Sequence, residues 1–593
     1  MLLQPATRAF ADRPLAACRT GILATPCRTW WVMRYCVFAT DYDGTLANEG
    51  RVDERTLGWL EQLRASGRRL VLVSGRILSD LCQAFPRADM FDVIVAENGA
   101  TLWKPGSGEL TLTDPPPAEL VRQLEQRGVP LAKGRVILAT WQPHETAMLG
   151  VVRELGLEWQ VTFNKGAVML LPSGVNKETG LERALSDLGV TRHEVVALGD
   201  AENDHALLAG AEIGVAVANA LPALKARADF VTTSPGSAGV IEVISKLLSS
   251  DLAEVKPVRH DIAVGEAEGE PTSVPPSGAR LLVCGSSGTG KSTFASGILE
   301  RLVERGYQVC LVDPEGDFES FPGVTPLGSV ERAPNVEEVL ALLADARVHP
   351  AVSLLGLPMR DRPAFLSQLW PGLQQLRARA GRPHWLVLEE AHHMLPRGFD
   401  ISSAAPLSSG GLLLVTVHPD LVSQSVLQAV NFVVAIGEAA PKALTSFFQG
   451  AGLPSPERYP SQGPGEALLW RDDRGGLRTF TPASPRAEHR RHRRKYATGD
   501  LRENAFRFRG PEEKLDLRAQ NLQRFLQLAD GIDDETWRFH LAQGDYARWF
   551  REAIKDEELV RAAAEAEAMA GVDARETRRH IRRAIEQRYV VEV

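Results

Sequence analysis

No apolar run in this 593-residue chain approaches the roughly 20 residues that a bilayer span requires, so no transmembrane segment is predicted. Cysteine is scarce, with six residues at 18, 27, 36, 82, 284 and 310 and no CxxC pair among them. That scatter argues against a disulfide framework or a cysteine zinc site and fits a reducing cytoplasm. Charge of either sign is not in large excess: the net value is −8, so nothing global points to nucleic acid or a membrane surface. The apolar and charged fractions are those of an ordinary globular chain, and the length exceeds what one core can hold, predicting about three domains.

Residues 1–32 carry four arginines, prolines and a single acid, Asp12, without periodicity. Their apolar stretches are too short and broken for a secretory signal. The expectation is a disordered extension or an upstream mis-start, with Met33 the natural beginning because MRYCVFATD opens onto a strand.

From residue 35 to about 250, short apolar runs (YCVFAT, RLVLVSG, VIVAE, EVVALGD, EIGVAV, FVTT) alternate with helical stretches such as RTLGWLEQLRASG and NKETGLERALSDLG. Alternation of this kind predicts a parallel sheet covered on both faces. Residues 101–172 break the rhythm and read as an inserted cap, and a polar stretch at 249–257 separates the next module. There ARLLVCGSSGTGKST opens a second alternating region with strands at QVCLVDP, AVSLLG, HWLVLEE, LLLVTVH and FVVAIG, ending near 483.

Asp41 and Asp43 in DYDGT follow the first predicted strand and should lie at the carboxyl edge of the sheet, where open α/β sheets bind ligands. Ser74 in VSGR, Lys177 in NK, and Asp200, Asn203 and Asp204 in GDAEND are predicted at the same edge. Each alone is unremarkable: Asp-Gly-Thr is turn chemistry, and Asn203 or Asp204 could merely cap a helix. Together they supply a carboxylate nucleophile, an acid two residues on, a hydroxyl, an ammonium and oxygen donors for a hard cation such as Mg²⁺. The four motifs, in this order, resemble those of haloacid dehalogenase-type phosphatases, closest to the Cof-like, type IIB branch; AENGA (96–100) and ADFVTTSPGSAGV (228–240) add to the resemblance, which covers 34–248. It implies Asp41 as nucleophile, Asp43 as general acid/base, Ser74 and Lys177 as phosphate ligands, and Mg²⁺ held by Asp41, the Asp43 carbonyl and Asp200, with Asp204 as ligand or support and Asn203 nearby. A sugar phosphate is the substrate class the family suggests.

GSSGTGKST at 285–293 fits the P-loop pattern between a strand and a helix. Gly285, Ser286, Ser287, Gly288, Thr289 and Gly290 are expected to wrap ATP phosphates, Lys291 to reach the β- and γ-phosphates, and Ser292, followed by Thr293, to hold Mg²⁺. HWLVLEEAHH ends a strand in two acids, Glu389 beside the metal and Glu390 placed to polarise water, which favours hydrolysis over transfer to an acceptor. With LVDPEGDF and LLLVTVHPDLVS, these residues resemble HerA/FtsK-like ATPases over 258–480. The departures are Glu389 for the usual aspartate and His418 where a glutamine senses the γ-phosphate; Arg397 is the only arginine-finger candidate.

The expected class is thus α/β: a Rossmannoid phosphatase domain at 33–250 with an α+β cap, a P-loop ATPase domain at 258–483, and a helical region at 484–593. In that last region, Trp537, Leu541, Tyr546, Trp549, Phe550 and Ile554 have the spacing of an apolar helical face, and the basic run 486–495 reads as either a solvated face or a polyanion contact. The function expected is a phosphomonoesterase coupled to or regulated by the ATPase. Two alternatives stay open: a hexameric DNA translocase with an accessory phosphatase, and a kinase–phosphatase pair acting on nucleic-acid ends. Nucleic acid and a homo-oligomer formed through the ATPase domain stay open as partners.

Overall fold

The computed structural model describes residues 33–316, 318–319, 321–399, 410–472, 476–486, 496–497, 501, 504–554, 556–569 and 573–589. The expectations for residues 1–32, and for the basic run beyond Arg486, lie outside the described residues.

The first sheet is built from the apolar runs. Its strands are β1 (Val37–Asp41), β2 (Arg69–Val73), β3 (Val93–Ala96), β4 (Thr101–Lys104) and β5 (Gly108–Thr111). A second, four-stranded sheet follows: β6 (Ala132–Lys133), β7 (Leu138–Trp141), β8 (Trp159–Asn164) and β9 (Ala167–Pro172). The chain then returns to the first sheet with β10 (Val195–Gly199), β11 (Ile213–Ala216) and β12 (Phe230–Val231). The order is β12-β11-β10-β1-β2-β3-β4-β5, parallel through β3 and antiparallel at the β4–β5 end. The four central strands β10, β1, β2 and β3 are apolar and buried almost throughout, as both faces are covered. Residues 101–111, expected to begin the cap, are hydrogen-bonded into this large sheet, and the antiparallel cap sheet β6-β7-β9-β8 is covered by helices Ala118–Gln126 and Glu145–Leu155. Their apolar runs are too short to reveal which sheet they join; only long-range pairing decides that.

Beyond helix Gly236–Ser250, Leu252 and Val255 of the polar stretch pack into the core of the first sheet. The next strands are β13 (Ile262–Ala267), β14 (Glu270–Val274), β15 (Arg280–Cys284), β16 (Val309–Asp313), β17 (Thr325–Leu327), β18 (Pro350–Ser353), β19 (Trp385–Leu388), β20 (Gly411–Thr416), β21 (Phe432–Ile436), β22 (Ala467–Arg471) and β23 (Gly476–Pro482). They form one sheet in the order β14-β13-β23-β22-β21-β15-β20-β19-β16-β18-β17. The half from β21 to β17 is parallel, and the β14-to-β22 half is antiparallel. In the tail, Trp537, Tyr546, Trp549, Phe550 and Ile554 are buried and Leu541 packs beside them. Gly544, with φ 67°, ends one helix at Gln543 and splits the apolar stripe between short helices.

The two sheets meet at their amino-terminal edges. Arg34 precedes β1, Glu194 precedes β10 and Glu212 precedes β11; opposite them, Tyr307 precedes β16 and His384 precedes β19. His384 Nε2 lies 2.6 Å from Glu194 Oε1, and His193 Nε2 lies 2.8 Å from the Arg305 carbonyl. Glu212 is fully buried and collects Arg34 at 2.5 Å, His193 Nδ1 at 2.8 Å and the Tyr307 hydroxyl at 3.1 Å. His193 stacks on Tyr307 with ring centroids 3.7 Å apart, and Arg382 donates to the Gly189 carbonyl at 3.0 Å. Burial works against the Glu212 carboxylate, but the hydrogen bond from His193 and the charge of Arg34 outweigh it and hold its pKa down to about 2. Stability from this group is therefore present above its ordinary 4.5 and is lost as pH falls from there towards about 2. Glu212→Ala leaves cationic and hydroxyl partners buried without their acceptor and is expected to destabilise the docked domains by about 3 kcal/mol. A lower first thermal transition and faster proteolysis between the two sheets check this; an unchanged thermal profile contradicts it.

Candidate active site

Strand β1 delivers Asp41 to the carboxyl edge of its sheet, level with the end of β2. The helix Lys177–Leu188 starts behind a capping box between Asn176 and Thr179, which fixes where Lys177 enters. Lys177 Nζ lies 2.5 Å from Asp41 Oδ1 and 2.6 Å from Asp204 Oδ1, all three side chains being buried. Asp204 uses its other oxygen to accept the backbone amides of Asp200 and Ala201, each at 2.9 Å, so it supports the loop as well as the lysine. Asp200 accepts the Thr45 hydroxyl at 3.1 Å and is paired with Lys165, which arrives from the cap. Gly44, with φ 80°, is required here, since a Cβ would stand 2.4 Å from Asp200 Oδ2.

Asp43 is turned to a different partner. Arg76 holds it in a two-pronged ion pair at 2.6 and 2.7 Å, and its side chain is one-third exposed. Ser74, at the end of β2, is buried and accepts the Arg76 amide at 3.1 Å. Asn203 donates to Asn98 at 3.0 Å rather than to a carboxylate.

Burial opposes the Lys177 ammonium, but the adjacent Asp204 and Asp41 carboxylates more than offset this and keep its pKa above the usual lysine value. Burial pushes the Asp41 carboxyl up against the pull of Lys177, and raises Asp200 against that of Lys165. Asp41, Asp200 and Asp204 each bring an oxygen within 4.8 Å of the others. Three buried carboxylates against two ammonium groups leave an excess negative charge, and hard oxygen donors at this spacing fit a divalent cation such as Mg²⁺.

Arg76, Lys165, Thr45, Asn98 and Glu97 escaped the sequence reading. Glu97 is fully buried and accepts the amides of Arg135, Val136 and Ile137 at 2.8 to 3.1 Å, tying the cap to the sheet. The left-handed backbone at Glu97 and Asn98 follows a buried strand, so AENGA was the available signal for that tie.

In the second sheet, β15 runs into the glycine-rich loop and then helix Lys291–Glu304. Gly285 passes so close to β21 that a Cβ would lie 2.3 Å from the Ile436 carbonyl. Lys291 Nζ donates to the Ser286 carbonyl at 2.7 Å and Thr289 Oγ1 to the same oxygen at 2.9 Å, folding the loop over itself. Burial lowers the Lys291 pKa, opposed by Glu390 and Glu389 beyond β19. Glu389 is buried, and Glu390 takes a left-handed backbone with φ 44°. Strand β20 lies between β15 and β19, so His418, two residues past its end, belongs to the edge between loop and acids. The His418 amide donates to Thr416 Oγ1 at 3.0 Å, and His392 Nδ1 meets the same hydroxyl at 2.9 Å. Burial, with His393 and His418 beside it, pushes His392 down to about 4. The Arg397 amide donates to the Leu421 carbonyl at 2.8 Å.

Residues 38–127 and 155–244 match the family model of haloacid dehalogenase-like hydrolases, and residues 278–346 match that of the helicase HerA central domain. Phosphoglycolate phosphatase 2 of Saccharolobus solfataricus is 35% identical over 136 residues, 23% of this chain and 57% of that protein. A phosphoglycolate phosphatase of Halorubrum lacusprofundi is 31% identical over 220 residues, 34% of this chain and 94% of that protein. A solved haloacid dehalogenase-like hydrolase from Bacteroides thetaiotaomicron has a TM-score of 0.32 at 22% identity, covering 36% of this chain and 99% of that one. The chain belongs to the haloacid dehalogenase-like hydrolase family, as a phosphatase of that family joined to a HerA-type domain. Among the described residues no helix is long and apolar enough to cross a membrane.

Proposed function

We propose that the chain is a cytoplasmic phosphohydrolase that cleaves a small phosphomonoester through an aspartyl-phosphate, and that its second domain binds and hydrolyses ATP and regulates that cleavage. The observation that supports it most is the convergence of Asp41, Lys177, Asp200 and Asp204 on one buried sheet edge. Asp41 attacks phosphorus through a carboxylate oxygen, and the bond to the leaving alkoxide breaks. Asp43, released from Arg76 and carrying a proton taken from solvent, protonates that oxygen and becomes a carboxylate; it then takes a proton from water, which attacks phosphorus, frees inorganic phosphate and restores Asp41. Ser74 and Lys177 bind phosphoryl oxygens. Mg²⁺ held by Asp41, the Asp43 carbonyl and Asp200, with Asp204 in support, would offset charge on the phosphoryl group.

The names of the related proteins favour a short phosphorylated acid over a sugar phosphate as substrate. In the second domain the roles proposed are phosphate binding by Gly285 to Lys291, metal binding by Ser292, with Thr293 beside it, and Glu389, water activation by Glu390 and γ-phosphate sensing by His418. The test is chelation: excess EDTA is expected to abolish turnover of p-nitrophenyl phosphate and added Mg²⁺ to restore it, with ATP changing the restored rate. Full turnover in chelator would sink the metal-assisted reading, and a rate indifferent to ATP would sink the regulatory one.

A further inference from the structure

The two-residue turn between β8 and β9 is made by Lys165 and Gly166, with Asn164 paired to Ala167 across it. Both turn residues have positive φ, 48° for Lys165 and 90° for Gly166, as a tight hairpin of this hand requires. Asparagine or aspartate suits the first position, and lysine there is strained. What the strained residue accomplishes is a reach from the cap into the phosphate site. Its ammonium pairs with Asp200 Oδ2, while its backbone amide donates to Glu202 at 3.3 Å. The space it enters exists only because residue 44 is glycine, whose missing Cβ would lie 2.5 Å from Lys165 Nζ.

Asp200 is fully buried, yet the Lys165 side chain is 45% exposed, so the ammonium sits at the mouth of the site rather than in its floor. The Asp200 oxygen it uses also receives Asn219 at 3.4 Å and belongs to the carboxylate cluster suited to a cation. A cation held by Asp200 would compete with Lys165 for that oxygen, and the ammonium on its flexible stem would then be free to meet an anionic group of the substrate.

We propose that Lys165 is the specificity-determining receptor for a second anionic group of the substrate, a carboxylate a few bonds from the phosphate. The proposal rests on the phosphomonoesterase reading above. With Asp41 and Asp200 oxygens within 4.8 Å of each other and Lys165 paired to Asp200, Lys165 Nζ stands within roughly 9 Å of the nucleophile, a span that a short phosphorylated acid bridges.

The test compares 2-phosphoglycolate with p-nitrophenyl phosphate, which has no carboxylate, on the full chain and on Lys165→Met and Lys165→Arg. Lys165→Met is expected to lower the ratio of kcat/KM for the two substrates by at least about tenfold, chiefly through KM for 2-phosphoglycolate. Lys165→Arg, which keeps the charge, is expected to recover most of the ratio. Calorimetric Mg²⁺ binding to Lys165→Met is expected to be no weaker than to the parent chain, because a competitor for Asp200 has gone. An unchanged ratio, a ratio lost equally in the arginine variant, weaker Mg²⁺ binding, or a parent chain active only on p-nitrophenyl phosphate overturns the assignment. Failure of the underlying reading looks different: the parent chain would hydrolyse neither compound, or would keep its rate when Asp41 is replaced.

Discussion

Asp41→Asn is expected to lower phosphatase turnover at least about a thousandfold while leaving nucleotide binding intact. The change is nearly isosteric and removes only the charge and nucleophilicity of one oxygen pair. Lys177 keeps Asp204 at 2.6 Å, so its ammonium is not abandoned in the interior. One member of a crowded carboxylate cluster is neutralised, and the thermal midpoint is expected to hold or rise. Steady-state kinetics on p-nitrophenyl phosphate, with binding of a fluorescent ATP analogue as control, checks both halves. Normal turnover in the variant would show that Asp41 is not the nucleophile.

Lys291→Ala is expected to produce the reverse pattern. Its Nζ now donates to the Ser286 carbonyl, within the very loop that should receive phosphate, and it is the ammonium there opposed by Glu389 and Glu390. Removing it is expected to weaken ATP binding and cut ATP hydrolysis by about a hundredfold or more, from lost charge-assisted hydrogen bonds to the β- and γ-phosphates. Phosphatase activity without nucleotide is expected to persist, but its response to ATP is expected to vanish. If the variant's phosphatase still responds to ATP as the parent does, the regulatory signal does not come from this loop.

Much of the architecture was legible because each motif sits where a buried strand meets a turn. DYDGT after β1, GDAEND after β10 and the glycine-rich loop after β15 combine local apolar patterning with turn chemistry, and both operate within a few residues. Arg76, Lys165 and Glu97 were illegible for the opposite reason. Their partners Asp43, Asp200 and the amides at 135–137 are distant in sequence, and no period announces such pairs. The joint between the sheets was hidden more thoroughly. Glu194, Glu212, His193 and His384 are polar residues at strand entries that no local pattern marks, yet all four are buried where groups of the other domain cover them. The hairpin β13–β14 escaped because its exposed glutamates and glycines interrupt the alternation that marks a strand.

The docking of the two sheets by their amino-terminal edges has a consequence for traffic. Each site lies beyond the carboxyl edge of its own sheet, so the two openings point away from each other. Five-residue strands on either side of the joint put them about 35 Å apart or more. Any phosphate released beyond the second edge would have to cover that distance before it met Asp41. What joins the two edges is the cluster of contacts at the strand entries. β10 (Val195–Gly199) and β19 (Trp385–Leu388) come together there end to end, through the Glu194–His384 pair that immediately precedes them.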